Sequence, residues 1–278
     1  MKKNKQVGYL GPEGTFSHEA VLKVIDKDTE IVPYDNIIHI FESLENDEID
    51  EAVVPIENST EGSVLVTLDA LTQYNLKIYK ELELPIKQNL LAQKGKTLDD
   101  IFVICSHQQA LAQCRHYINN INKQVHAMSS TANAARYVTE LSTAAVIGNE
   151  ILSEKYNLEI IDKNIQDYDN NITRFVIISK KSQEEVTGHD KTSIIILLKG
   201  DKPGGLYEVL RLFAQENINL TRIESRPSKK GMGKYLFFID MQGHINEPHI
   251  NRTLSAIEEE VSILKVLGSY STITVGGN

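Results

Sequence analysis

A change of pattern near residue 181 constrains this chain more than any other feature. Before it, short β-branched runs at residues 7–10, 31–32, 52–56, 101–105, 123–128, 144–147, 158–161 and 174–178 read as strands. They alternate with amphipathic stretches at residues 16–24, 37–47, 64–74, 107–118, 132–141 and 149–155 that read as helices. Such alternation predicts parallel sheets covered by helices. Residues 76–93, "LKIYKELELPIKQNLLAQ", form one long extended run with almost no turn residue before Pro85, which suits a crossing between two lobes. The polar segment "SQEEVTGHD", residues 182–190, has no usable period and reads as a linker. After it come a strand "TSIIILLKG", a turn "DKPGG", a helix "LYEVLRLFAQE", a strand "INLTRIESRP", a hairpin turn "SKKGMG", a strand "KYLFFIDMQGH", a helix at residues 248–260 and a strand "SILKVLGSY". That order is β-α-β-β-α-β, a ferredoxin-like unit.

A length of 278 residues suits two compact units. A net charge of −9, with no basic cluster longer than "SKK", argues against a nucleic-acid or anionic-membrane partner and makes an anionic substrate mildly unexpected. The basic start "MKKNK" is not followed by the apolar run of a signal peptide, and no window is apolar enough to span a bilayer, so a cytoplasmic protein is expected. Cys105 and Cys114 are too few for a disulfide framework and lack metal-ligand spacing; they read as buried thiols. The eight scattered histidines argue against a metal centre.

Several strands of the first unit end in small, polar, glycine-bearing loops that open helices. In "YLGPEGTFSHEA", Thr15 or Ser17 is placed to cap a helix beginning near Phe16. "PIENSTEGSVLV" groups Asn58, Ser59, Thr60 and Ser63 around Gly62; "CSHQQALAQC" sets Ser106 at capping-box spacing from Gln109; "SSTANAA" offers Ser129, Ser130 and Thr131. Free amides and helix dipoles at such ends attract carboxylates or phosphates beyond the carboxyl edge of the strands. Plain capping is the readier explanation of any one loop, while four in one unit shift the balance toward an anion cleft. Helical spacing sets Leu111, Cys114 and Ile118 on a buried face with Gln113 beside it, either lining the cleft or solvated.

The segments "GYLGPEGTFSHEA", "VVPIENSTEGSV", "SHQQALAQC", "SSTANAA", "NIQDYDNNITRF", "GGLYEVL" and "IESRP" together resemble the prephenate dehydratases over essentially the whole chain. The resemblance implies an α/β fold: a two-lobed, periplasmic-binding-protein-like catalytic domain at residues 1–181, with the crossover near 76–93 and the return near 161–181. An ACT regulatory domain at residues 191–278 would follow the linker. It implies conversion of prephenate to phenylpyruvate with loss of water and carbon dioxide on the route to phenylalanine, without cofactor or metal. Thr173 of "TRF" would assist the departing hydroxyl, with Thr15, Asn58, Ser59, Ser106, Gln113, Arg174 and Phe175 holding substrate.

Strand alternation sends Thr173 and Phe175 to one face and Arg174 to the other. Arg174 then either turns toward a substrate carboxylate or pairs structurally, with Asp167 or Asp169 as partner. Alternation leaves open whether Glu57 faces the cleft. By the same resemblance, Gly204, Gly205 and Leu206, with Glu224, Ser225, Arg226 and Pro227, would bind regulatory phenylalanine in a homodimer or homotetramer. Gln108 stands where the family has proline, and Gly205 where it has alanine; the second departure bears on inhibitor strength. No mutase-like helical segment precedes Val7, which resembles the monofunctional form. An arogenate dehydratase, and a non-catalytic binder built from a solute receptor and an amino-acid sensor, are the competing readings.

Overall fold

The computed structural model describes residues 4–200, 202–228 and 235–273. The first lobe grows from strand β1 (Gln6–Leu10), with β2 (Glu30–Tyr34) and β3 (Glu51–Asn58) parallel on either side. Helices α1 (Phe16–Val24) and α2 (Ile37–Glu45) make those connections. The two-residue β4 (Gly62–Ser63) folds back on β3, and α3 (Leu65–Gln73) leads into β5 (Lys77–Pro85).

The long extended run is two strands in two sheets, since β6 (Asn89–Gln93) belongs to the second lobe. That lobe continues through β7 (Val103–His107), α4 (Gln108–Ala112), α5 (Arg115–Ile121), β8 (Gln124–Met128), α6 (Thr131–Glu140), β9 (Ala144–Gly148), α7 (Ile151–Tyr156) and β10 (Leu158–Asp162). Its sheet runs β10-β6-β9-β7-β8, parallel around β7 and antiparallel around β6, so the expected all-parallel pattern gives way to a mixed sheet. Strand β11 (Ile172–Ser179) then returns to the first lobe, antiparallel to both β3 and β5. The outgoing and returning segments lie against each other: Ile86 N donates to Asn171 O at 2.8 Å and Ile165 N to Gln88 O at 2.8 Å.

The last unit comprises β12 (Asp190–Leu198), α8 (Gly205–Gln215), β13 (Leu220–Pro227), β14 (Tyr235–Gln242), α9 (Pro248–Glu260) and β15 (Val261–Ile273), the ferredoxin-like order. Its "SKKGMG" turn falls largely outside the described residues. The run Ile194–Ile195–Ile196 is buried throughout because both faces of this sheet are covered. Ile194 and Ile196 pack with Val209, Phe213, Ile250 and Ile257 of α8 and α9. Ile195, Phe238 and Tyr270 pack with Leu68 and Leu71 of α3. Near its end β15 pairs in parallel with β5, Thr272 opposite Glu81 and Ile273 opposite Leu82. One sheet therefore runs β13-β14-β12-β15-β5-β11-β3-β1-β2 through both units. Residues 182–190 are tied down as well, since the Asp190 carboxylate accepts from Thr187 N, Thr187 Oγ1, Gly188 N and Gln183 Nε2.

The expected helix at residues 107–118 is broken into α4 and α5. Asp167, on the returning segment, accepts from Arg115 N and His116 N at 3.0 Å each and so caps a new helix start. No helix among the described residues is long and apolar enough to cross a membrane.

Candidate functional site

A cavity of about 650 Å³ lies between the two lobes. The first lobe supplies the loop after β1 with the start of α1, the β3–β4 turn, and Thr173 and Phe175 of β11. The second supplies the starts of α4 and α6 and Asn149 after β9. Two of the four helix openings are capped as their sequences suggest. Thr15 Oγ1 accepts from His18 N at 3.3 Å at the head of α1, and Ser130 Oγ accepts from Asn133 N at 3.0 Å at the head of α6. Gly14 N donates to His18 Nδ1 at 3.2 Å, and burial holds this imidazole below its usual range, in keeping with a neutral acceptor ring. No Lys or Arg among the described residues lines the cavity. Its capacity for anions rests on helix N-termini, amides and hydroxyls.

The contact between β3 and β11 is closely hydrogen-bonded through Asn58. Asn58 Nδ2 donates to Thr173 Oγ1 at 2.9 Å and to Asn171 Oδ1 at 2.7 Å. Its Oδ1 accepts from Thr60 N at 3.0 Å, Thr60 Oγ1 at 2.7 Å and Glu61 N at 3.0 Å. Three donors on the carbonyl oxygen leave the amide nitrogen as the only end of Asn58 that can face Thr173. Thr173 thus accepts from Asn58 and keeps its own O–H for the cavity. Gln113 also lines the wall, its Oε1 accepting from Gln88 Nε2 at 2.9 Å and its Nε2 donating to Glu61 at 3.1 Å. The lobes meet again where Lys155 pairs with Glu13, whose carboxyl is held low first by that hydrogen bond.

Of the residues read from the sequence as catalytic or substrate-binding, Thr15, Asn58, Gln113, Thr173 and Phe175 line the cavity; Ser59, Ser106 and Arg174 do not. Ser59 Oγ donates to Asn170 O and accepts from Ile172 N, clasping the start of β11. Ser106 is fully buried and donates to Ile147 O at 2.6 Å; β7 runs on to His107, which takes the N-cap position assigned to Ser106. Arg174 faces away from the cavity, as alternation requires, but its partners are neither Asp167 nor Asp169. Asp167 is the cap of α5, and Asp169 accepts from Gln166 Nε2.

Arg174 meets Glu57 at 3.1 Å, Asp240 at 2.7 Å and the Tyr270 hydroxyl at 3.2 Å. Its Nε lies 2.9 Å from Glu81 Oε2 without hydrogen-bond alignment. Glu57 therefore serves this cluster on the far side of β3. Unforeseen in the sequence were Glu61 and Gln88; Glu61 sits inside a quoted motif, whereas nothing local marks Gln88.

The residues read as a regulatory site occupy two places. Gly204, at a φ of +82°, and Gly205 and Leu206 open α8, while Glu224, Ser225, Arg226 and Pro227 lie on edge strand β13. That strand touches the cavity wall. Glu224 accepts from Ser63 and pairs with Arg222, whose Nη2 also donates to Ser63 at 2.6 Å. Arg226 donates to Leu65 O at 2.8 Å and pairs with Asp69 at 3.3 Å.

The prephenate dehydratase family profile matches residues 7–183, and the ACT domain profile matches residues 192–259. A prephenate dehydratase of Methanocaldococcus jannaschii is 44% identical over 274 residues, covering 96% of this chain and 98% of that protein. The crystal structure of prephenate dehydratase from Arthrobacter aurescens in complex with L-Phe superposes with a TM-score of 0.87 at 36% identity, covering 96% of this chain and 90% of that one. The Staphylococcus aureus prephenate dehydratase structure gives 0.85 at 31% identity, with 95% and 99% covered.

Proposed function

The chain belongs to the prephenate dehydratase family, and on that premise we propose that it is a carbon-oxygen lyase converting prephenate to phenylpyruvate, water and carbon dioxide. The observation that carries the reading is the Asn58–Thr173 contact at 2.9 Å on the wall of the cleft. In the reaction the bond from ring to carboxylate breaks, its electron pair enters the ring, and the ring C–O bond breaks as the ring becomes aromatic. The departing hydroxide requires one proton. Thr173 is placed to supply it, or a strong hydrogen bond toward it. The amide of Asn58 stabilises negative charge developing on Oγ1, which makes the hydroxyl a better donor than a threonine in water. The alkoxide is then reprotonated from solvent as product leaves. Thr15, Asn58, Gln113 and Phe175 line the space around the substrate, and the ends of α1 and α6 favour its carboxylates.

The same reading divides the chain into a catalytic unit at 1–181, a linker at 182–190 and a regulatory unit at 191–278. The regulatory unit would bind phenylalanine through Gly204–Leu206 and Glu224–Pro227 in a homodimer or homotetramer in the cytoplasm. Feedback is supported by the grip of Glu224 and Arg226 on Ser63 and Leu65, next to Glu61 and Asn58. Movement of β13 on ligand binding would shift the β3–β4 turn. The test is to measure phenylpyruvate formed from prephenate, and phenylalanine formed from arogenate, each with and without added phenylalanine. Product from prephenate that falls as phenylalanine rises is expected; no turnover of either substrate refutes the enzyme, and turnover indifferent to phenylalanine refutes the regulation.

A further inference from the structure

Glu61 stands in the β3–β4 turn and reaches across the cleft to the second lobe. Its Oε2 accepts from Gln109 Nε2 at 2.7 Å and its Oε1 from Gln113 Nε2 at 3.1 Å. Gln113 Oε1 in turn accepts from Gln88 Nε2 at 2.9 Å. Gln88 is 1% exposed, lines the cavity, and its Oε1 has no donor. The main chains of both glutamines are fixed by the returning segment: Gln88 N donates to Gln166 Oε1 at 2.9 Å, and Asp167 N donates to Gln113 O at 2.7 Å.

A carboxylate can only accept hydrogen bonds, whereas a glutamine amide can present either end. An ionised Glu61 therefore obliges Gln113 to present its NH₂. The Gln113 oxygen then faces Gln88, which must present its own NH₂ in reply. The chain of amides ends on a buried carbonyl oxygen in the cavity wall. A buried acceptor left without a partner is costly, so a ligand donor that reaches it is favoured.

We propose that Glu61 is a positioning residue that sets the polarity of the Gln113–Gln88 pair, so that Gln88 Oε1 accepts a hydroxyl hydrogen of the substrate. This rests on the prephenate reading, because the donor of prephenate is its ring hydroxyl. Held by its hydrogen on Gln88, that hydroxyl turns a lone pair outward to receive the proton of Thr173. The placement is compatible along the chain: Thr173 is opposite Leu84 in the β11–β5 register, and Gln88 follows four residues later. Glu61 acts through the amides and is not itself a catalytic residue.

Two readouts test the proposal on the full-length protein. In kinetics, Glu61→Gln lowers kcat by about tenfold, the scale of one misdirected buried hydrogen bond. Glu61→Asp keeps the acceptor and stays within about threefold of wild type, and in a Gln113→Ala background Glu61→Gln has no further effect. In side-chain amide NMR, the Glu61→Gln substitution shifts the Nε2 signals of both Gln113 and Gln88, with no ligand present. Wild-type kcat in Glu61→Gln, losses that multiply fully with Gln113→Ala, or an unmoved Gln88 signal overturns the proposal. If the wild type turns over neither prephenate nor arogenate, the functional reading falls on that control, and the amide spectrum alone judges the relay.

Discussion

Replacing Arg174 with methionine tests how the two units are joined. The guanidinium is 10% exposed and sits among Glu57, Glu81 and Asp240, whose side chains are 35%, 1% and 4% exposed. Burial opposes its charge, but Tyr270, Asp240 and Glu81 more than offset this, so the group stays protonated. Removing one partner of a buried pair costs roughly 3–5 kcal/mol through the charge left behind. The lower end applies here. Glu81 keeps Lys191 at 2.6 Å and Thr272 at 2.7 Å, Asp240 keeps Ser193 at 2.5 Å, and Glu57 reaches solvent. A loss of about 3 kcal/mol lowers Tm by roughly 6–12 °C at about 2–4 °C per kcal/mol. Scanning calorimetry of Arg174→Met, Asp240→Asn and the double variant measures it. The double variant should lose clearly less than the sum of the singles, because each single change strands the other's charge. A Tm loss below about 2 °C, or strict additivity, refutes the claim that this cluster fastens the units together.

Thr173→Ala should lower kcat by roughly a hundredfold or more while Thr173→Ser keeps much of the activity, as steady-state rates with prephenate will show; near-normal turnover of the alanine variant removes Thr173 from the chemistry. Cys114 is fully buried, and burial followed by the nearby Asp167 pushes its thiol up to about 12. The unfolded chain ionises near 8.5, so this thiol's contribution is intact below that pH and is lost as pH rises toward 12, by at most about 1.4 kcal/mol per unit; urea unfolding of wild type and Cys114→Ala between pH 8 and 10 should show a shallower decline in the variant. Glu224→Gln weakens the hold on Ser63 and Arg222 and should raise the phenylalanine concentration for half-inhibition several-fold, measured by titration at fixed prephenate, with an unchanged midpoint counting against this route of coupling.

Local chemistry made much of this legible. Helix α1 begins at Phe16 because Thr15 offers a cap after a glycine-bearing turn, and both signals lie within a few residues. The β-α-β-β-α-β order could be read for the same reason, from continuous apolar runs and short polar breaks. What stayed hidden depends on partners distant in sequence. Asp167 splits the helix after His107 from 52 residues away, so periodicity alone runs straight through Gln113. Arg174 finds Asp240 66 residues on, in the other unit, where alternation gives the face but not the partner. Ser106 had the right spacing for a capping box, yet β7 runs through Ser106 to His107 and moves the helix start beyond it. Gln88 has no local mark, because its place at the cleft follows from where the crossing segment meets the return.

The pairing of β15 with β5 bears on exchanging parts between relatives. Cutting this chain at the linker would bare an edge of β5 and strip Glu81 of both Lys191 and Thr272. It would also leave Arg174, the chain neighbour of Thr173, facing water in place of Asp240 and Tyr270. The first unit is thus not a free-standing piece to which the ACT unit has been added. A chimera with a foreign ACT unit should succeed only if the graft brings equivalents of Lys191, Asp240, Tyr270 and Thr272.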